Sequence, residues 1–235
     1  MRRVILCAVV VMIADTGRAD FILSGSEHLE VDSLHDVGIL YDSSTANVVA
    51  GGRIASVYVN DAGGLINSGG AIAWLRAYDT GSVEFSAGTF NKLDAYETSN
   101  VVISGGELYG SLSAYDGSSV IISGGELGSL SVEDNSTAEV SGGVVSILAG
   151  LETSIVTFRG YDFRATAGLR LENDTVLGTG ILTGKWFDKT PWIVDIRQNR
   201  ATIRVVPEPS TLALLAMGAI GLLSYVWRQQ KRRAF

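Results

Sequence analysis

The stretch LDAYETSNVVISGG at residues 93–106 is followed by LSAYDGSSVIISGG at residues 112–125, and the two are nearly the same. The first small residue of the Gly-Gly position recurs at steps of 18, 18, 18, 19 and 18 residues, at Gly51, Gly69, Ala87, Gly105, Gly124 and Gly142. A fixed period of this length is typical of proteins in which each repeat packs only on its neighbours. The repeat therefore decides the fold.

Apolar and polar residues alternate within each repeat, which is the pattern of a β-strand with one buried face. One apolar column contains Leu75, Leu93, Leu112 and Leu130, and a second, two residues later, contains Val59, Ala77, Ala95, Ala114 and Val132. Each repeat offers three short strands. Glycine, serine and aspartate stand at the corners, where positive φ angles or local side-chain hydrogen bonds are needed.

One repeat cannot bury its apolar face alone, but stacked repeats can, with equivalent strands about 4.8 Å apart in parallel sheets. The sequence therefore predicts an all-β fold, a parallel β-solenoid (β-helix) of about seven 18-residue turns over residues 39–163. Capping β segments are predicted at residues 20–38 and 164–205, the second plugged by Trp186 and Trp192. A sandwich of antiparallel hairpins is the alternative, although it does not require columns that repeat at a fixed spacing.

The N-terminus has the order of a secretory signal peptide. Arg2 and Arg3 precede an apolar run at residues 4–14, and small residues follow at the positions that a signal peptidase reads. We predict a signal peptide at residues 1–19, with cleavage between Ala19 and Asp20. Because the single cysteine, Cys7, lies inside this segment, the mature protein would contain neither disulfides nor thiolate metal sites.

The C-terminus carries a second targeting pattern. Residues 211–227 read TLALLAMGAIGLLSYVW without a charge, and as a helix these 17 residues would span about 26 Å, close to the hydrocarbon core of a bilayer. The tripeptide Pro207, Glu208 and Pro209 precedes this predicted transmembrane helix, and a basic cluster follows it. The positive-inside rule places the basic end in the cytoplasm. The prolines favour an extended, accessible segment outside the solenoid.

The tripeptide, the apolar stretch and the basic end together resemble the PEP-CTERM sorting signal, here residues 206–235, of Gram-negative bacteria with extracellular polysaccharide matrices. The resemblance implies processing by an exosortase-like enzyme, a transient stay in the inner membrane, and delivery to the cell surface or extracellular matrix. Residues 75–88, 93–106 and 112–125 also resemble tandem LYAYDSSTVNISGG-like repeats of surface proteins from such bacteria. An ordinary C-terminal membrane anchor is the alternative.

Two outward columns suggest a ligand face. An acidic column contains Asp42, Asp61, Asp79, Glu97, Asp116, Asp134 and Glu152, and a tyrosine column one residue earlier contains Tyr41, Tyr78, Tyr96 and Tyr115. Tyrosines beside carboxylates are typical of a carbohydrate-binding surface, so the candidate face is Tyr78, Tyr96, Tyr115, Asp79, Glu97 and Asp116. The preferred interpretations are a packed tyrosine ladder and an Asx-type corner in which the carboxylate bonds its own backbone, with the ligand face and a cation held between carboxylates as the alternatives.

Charge and repetition limit the function. Residues 20–157 contain 18 acidic and three basic residues, a net charge of −15, which excludes nucleic acid as a partner of this region. The same polar residues recur from repeat to repeat, whereas a catalytic site needs a group of different side chains that occurs once. We therefore predict no enzyme, no catalytic residue, no cofactor and no metal.

We therefore expect an exported structural or adhesive protein of the cell surface or extracellular matrix. Extracellular polysaccharide is the candidate partner for the ligand face. The alternatives are a carbohydrate- or ice-binding module, the latter without the regular threonine ladder that would support it, and a polysaccharide-degrading enzyme.

Overall fold

The structure is a computed structural model that describes residues 20–166 and 168–207. The predicted signal peptide at residues 1–19, the predicted transmembrane helix at residues 211–227, and Glu208 and Pro209 lie outside these residues. Within the described ranges, no helix is long and apolar enough to cross a membrane.

The described residues form seventeen strands. These are β1 Phe21–Leu23, β2 His28–Val31, β3 Leu34–Leu40, β4 Thr45–Val48, β5 Arg53–Val59, β6 Gly64–Ala77, β7 Ser82–Ala95, β8 Asn100–Ile103, β9 Glu107–Ala114, β10 Ser119–Val132, β11 Thr137–Gly150, β12 Ile155–Thr166, β13 Arg170–Glu172, β14 Thr175–Leu177, β15 Gly180–Lys185, β16 Pro191–Asn199 and β17 Thr202–Pro207.

The strands wind into a parallel β-solenoid of about eight turns, because each strand pairs in parallel with the strand one repeat later. In β10 and β11, Val120 lies opposite Ala138 and Leu130 lies opposite Leu148. The prediction of about seven turns was one turn short. The segment predicted as an N-terminal cap supplies the extra turn, since β1 pairs in parallel with the end of β3 and β2 pairs in parallel with β4.

The Gly-Gly corners bend strands without always ending them, which corrects the prediction of three short strands per repeat. Strands β6, β7, β10 and β11 each run for 14 residues through the corner, where the register shifts by a β-bulge. Gly143 shows why glycine is required there, since its φ is +74° and an added Cβ would lie 2.5 Å from the carbonyl oxygen of Gly125 one turn away. Each coil also has a tight turn, and this turn lies at the acidic column and not at the Gly-Gly corner.

The apolar columns fill the interior as predicted. Leu75, Leu93, Leu112, Leu130 and Leu148 stack in one fully buried column through successive turns. Asn67 is the one amide in these inward columns, and it is satisfied locally: its Oδ1 accepts the backbone N–H groups of Gly69 and Gly70. Because its polar atoms are bonded within the corner, the asparagine costs little in this apolar core.

The C-terminal end of the solenoid is closed by antiparallel strands. Strand β17 pairs in parallel with β12, and β14 pairs with β17. The β15–β16 hairpin pairs through β15 with the end of β12 and through β16 with β11. Trp186 and Trp192 stack with 4.7 Å between ring centroids, and the Trp186 indole N–H donates to the carbonyl oxygen of Gly143 at 2.8 Å. These strands cover edges and core that would otherwise be open.

We expect Leu112→Ala to destabilise the protein by about 2–5 kcal/mol, because it leaves a cavity in a column with neighbours on both sides. Urea denaturation followed by circular dichroism measures the loss. The matched control is Ile121→Ala, which truncates an exposed side chain on a neighbouring strand and should change stability by about 0.5 kcal/mol or less. Equal losses for the two variants would contradict the buried column.

Candidate functional site

One outer face of the solenoid brings aromatic and charged side chains together. On β6, Trp74 and Arg76 point outward at alternate positions, and Tyr78 follows directly after the strand. The parallel register places Lys92 beside Trp74 and Asp94 beside Arg76 in the next turn. Ser111 and Ser113 continue these two columns in the turn after that. The local folding of this face therefore follows from strand alternation and in-register stacking alone.

Three residues of the predicted tyrosine column, Tyr78, Tyr96 and Tyr115, form a stacked ladder, whereas Tyr41 is separated from Tyr78 by Asn60 in the intervening turn. The ring centroids of Tyr78 and Tyr96 are 5.1 Å apart, those of Tyr96 and Tyr115 are 5.0 Å apart, and both pairs are nearly parallel. Burial and the nearby Asp94 carboxylate raise the pKa of Tyr96 above its usual value. Because both faces of the Tyr96 ring are covered by its neighbours, a sugar ring has no access to them. The ladder offers ligands only its outer edge and its end rings.

The acidic column holds the tight turns. All seven residues have φ between 52° and 60°, a left-handed conformation that Asp tolerates better than most residues. Five of the seven carboxylates accept a backbone N–H of the preceding turn, which differs from the predicted Asx-type corner; these are Asp42, Asp61, Asp79, Glu97 and Asp134. The Asp79 N–H donates to the Glu97 carboxylate at 2.6 Å, and the Asp61 N–H donates to the Asp79 carboxylate at 3.3 Å. Among the described residues, no group of three or more His, Cys, Asp or Glu side chains could hold a metal ion.

Asp94 is a buried carboxylate in the middle of the outer face. Its side chain is only 3% exposed, and its Oδ2 lies 2.9 Å from Lys92 Nζ and 3.8 Å from Arg76 Nε. The other oxygen, Oδ1, is buried without a hydrogen-bond partner. The sequence analysis missed Asp94 as a site residue. Two of the three basic residues of the acidic region pair with it, and that clustering was the available signal.

Tyr109 marks the place where the repeat takes its 19-residue step. The register places Phe90 opposite Leu108 and Lys92 opposite Ser111, so Tyr109 and Gly110 stand where the previous turn has only Asn91. A Cβ on residue 110 would collide with the carbonyl oxygen of Asn91, so this bulge requires glycine. The bulge leaves Tyr109 69% exposed, with its hydroxyl hydrogen-bonded to Glu107. The sequence analysis recorded the 19-residue step but did not connect it to a site.

An open groove of about 560 Å³ lies between these features, and we call it the Trp74 groove. It is lined by aromatic, basic and small polar residues: Trp74, Asn91, Lys92, Tyr109, Gly110, Ser111, Gly128, Ser129 and Ile147. The Trp74 side chain is 52% exposed, and Lys92 Nζ lies 5.9 Å from the centre of its ring. An exposed indole beside an ammonium, an amide and hydroxyls can stack on an apolar ring face and hydrogen-bond its substituents.

The comparisons with known proteins identify the C-terminal segment. The family model described as the PEP-CTERM protein-sorting motif matches residues 205–233, so the chain carries this motif, as the sequence analysis predicted. No curated protein and no solved structure matches the chain. The match begins inside β17, whose last residue is Pro207.

Two acidic residues of the column share a hydrogen bond at the last tight turn of the repeats. The hydrogen bond with the Asp134 carboxyl, and then the negative charge of Asp134, raise the pKa of Glu152 above its usual value. The folded protein therefore holds a proton on Glu152 that the unfolded chain releases at lower pH. The stabilisation by this contact is present in acid and is lost as the pH rises through the raised pKa.

We expect Glu152→Gln to raise the unfolding temperature at pH 7, because the amide keeps a hydrogen-bond donor and removes the repulsion between two carboxylates. The difference from the native protein should shrink as the pH falls through the raised pKa of Glu152, and it should be smallest below about 4.3, the ordinary pKa of glutamate. Thermal unfolding between pH 3 and 8 measures it, with Glu84→Gln on an exposed strand position as the control. A difference that is independent of pH would show that the shared proton plays no part.

Proposed function

We propose that this chain, which carries a PEP-CTERM sorting motif, is a non-catalytic repeat protein of the cell surface or extracellular matrix with a structural or adhesive role. The motif implies export and sorting by an exosortase-like enzyme of a Gram-negative bacterium. The observation that carries the proposal is the join between rod and motif: Pro207 is both the last residue of β17 and the first proline of the tripeptide. The sorting signal is therefore attached directly to the solenoid, which is the domain that it sorts.

The geometry of the solenoid supports a structural role. About eight turns at about 4.8 Å each make a rod of roughly 40 Å. Its turns are joined by backbone hydrogen bonds, by the tyrosine ladder and by five carboxylates of the acidic column that accept a backbone N–H of the preceding turn. A rod of this kind resists bending because every turn is bonded along its length to its neighbours.

The repetition of the polar columns supports a non-catalytic role, because a reaction centre needs different groups that converge on one reacting atom. The carboxylates of the acidic column instead bond backbone N–H groups of neighbouring turns. We therefore propose that the protein holds material and does not turn it over.

A second candidate function, glycan binding, is favoured by the Trp74 groove. Trp74 and Tyr109 are exposed aromatic residues, and they flank Lys92, Asn91 and the serines of the next two turns. We propose that a pyranose ring of an extracellular polysaccharide stacks on Trp74 while these groups bond its hydroxyls. The proposed aromatic contact is therefore Trp74, beside the 19-residue repeat, and not Tyr96, whose ring faces are covered.

We expect replacement of Pro207 and Pro209 with alanine to trap the full-length protein in the inner membrane, because the processing enzyme would no longer recognise the segment. Cell fractionation and mass spectrometry of the C-terminal peptide measure this, and Ser210→Ala is the control next to the tripeptide. Deletion after Pro207, which keeps β17 whole, should instead release soluble protein. Mature surface protein that still ends at Phe235 would contradict processing.

We expect Trp74→Ala to weaken binding to extracellular polysaccharide about tenfold, a loss of about 1.4 kcal/mol that is typical of one aromatic contact. Deletion of Gly110, which restores the 18-residue step and removes the bulge, should have a similar effect. Ile121→Ala removes an exposed apolar side chain outside the groove and is the control. Affinity electrophoresis in polysaccharide gels measures binding, and reproducible cleavage of a polysaccharide that one carboxylate substitution abolishes would contradict the non-catalytic role.

A further inference from the structure

The chain leaves the solenoid at a corner that it shares with a hairpin tip. In the parallel pair of β12 and β17, Gly160 lies opposite Pro207. In the antiparallel pair of β12 and β15, the next residue, Tyr161, lies opposite Lys185. The turn between β15 and β16, residues 186–190, therefore lies beside the start of the sorting motif.

The hairpin tip presents an exposed aromatic side chain on a rigid base. Phe187 is 67% exposed, although the residues on which the turn rests, Trp186 and Trp192, are buried and stacked on each other. The turn is closed by the Trp186 N–H, which donates to the carbonyl oxygen of Thr190, and by the Lys189 N–H, which donates to that of Trp186, both at 2.9 Å. Phe187 is therefore held outward by a well-bonded turn.

The rest of the hairpin continues this surface. Ile193 is exposed on β16, and Lys189 lies in the turn beside the exposed Asp188. Lys185, near the tip on β15, is ion-paired with Asp162 at 3.0 Å. Exposed apolar side chains beside lysines are the composition of a surface that lies in a bilayer interface. We call Lys185, Phe187, Lys189 and Ile193 the hairpin surface.

The length of the chain after Pro207 limits how far this surface can lie from a membrane. Only residues 208–210 separate Pro207 from Thr211, the first residue of the uncharged stretch. Four Cα-to-Cα steps of at most about 3.6 Å each span about 14 Å. If the uncharged stretch is in the bilayer, the corner that carries Phe187 lies within about that distance of its surface.

Charge complementarity favours the same partner. Residues 158–206 carry eight basic and five acidic residues, whereas residues 20–157 have a net charge of −15. An anionic bilayer would therefore attract the C-terminal end of the rod and repel the remainder.

We propose that the hairpin surface rests on the anionic phospholipid of the inner membrane before processing, with Phe187 inserted in the interface and the rod pointing away. This inference rests on the proposed membrane anchoring by residues 211–227. Contact with lipid would hold the sorting motif at a constant height and orientation for a membrane enzyme.

The test is a fluorescence measurement on residues 20–235, the chain that remains after the predicted signal-peptide cleavage and contains no cysteine, in vesicles of phosphatidylethanolamine and phosphatidylglycerol. An environment-sensitive probe is attached in separate variants to Phe187→Cys, Ala219→Cys and Ser26→Cys. We expect blue-shifted emission and quenching by brominated lipid at residues 187 and 219, and neither effect at residue 26 in the first turn. Repetition with Ile193→Cys checks the hairpin surface at a second position.

The probe positions separate the proposed membrane anchoring by residues 211–227 from the proposed lipid contact of the hairpin surface. A probe in lipid at residue 219 but in water at residues 187 and 193 overturns the hairpin contact and leaves the anchoring intact. Probes in water at all positions overturn both. A probe at residue 187 that is shielded only in native membranes containing the processing enzyme would assign the hairpin surface to a protein partner and overturn the lipid contact.

Discussion

In-register stacking of the backbone is the constraint on which the rest of the molecule depends. Turns that pair in parallel bring each residue directly over its equivalent, so a residue is tolerated only if it can pack against the side chains at the same position of the two neighbouring turns. At the corners this demands glycine, because a Cβ on Gly143 would strike the carbonyl oxygen of Gly125. In the interior it permits leucine columns, and on the surface it permits the Tyr78, Tyr96 and Tyr115 ladder.

The same constraint explains how the acidic column tolerates its own charge. A stack of carboxylates one turn apart is unfavourable unless each has a donor, and the backbone N–H of the neighbouring acidic residue supplies one, as in Asp79 and Glu97. The left-handed φ at each acidic residue accompanies this arrangement. Where Asp134 and Glu152 meet, the hydrogen bond between their carboxyl groups and the negative charge of Asp134 raise the pKa of Glu152. The column is thus bonded along the rod.

Departures from the repeat are where a specific role becomes available. The extra residue at Tyr109 and Gly110 moves an aromatic ring out of the regular columns and into the lining of the groove that Trp74 and Lys92 also line. At the other departure, the antiparallel closing strands replace parallel stacking and leave Phe187 exposed at the corner where β17 ends. Stacking makes a uniform rod, and the interruptions in the stacking give it a distinct face and a distinct end.

The sequence by itself determined the solenoid, the buried leucine column and the sorting motif, because an 18-residue period with strict alternation permits one stacked solution and the motif is a contiguous string. It did not determine the extra first turn or the 14-residue strands, since pairing of residues 21–31 and strand continuity through a bulge depend on contacts between turns. Pro207 was expected outside the solenoid, yet it ends β17, because a proline at the last position of a strand needs no ladder donor. Only the tertiary structure placed Arg76 beside Asp94 and set Pro207 and Lys185 opposite adjacent residues of β12. These residues are distant in the chain and meet only after the turns have stacked.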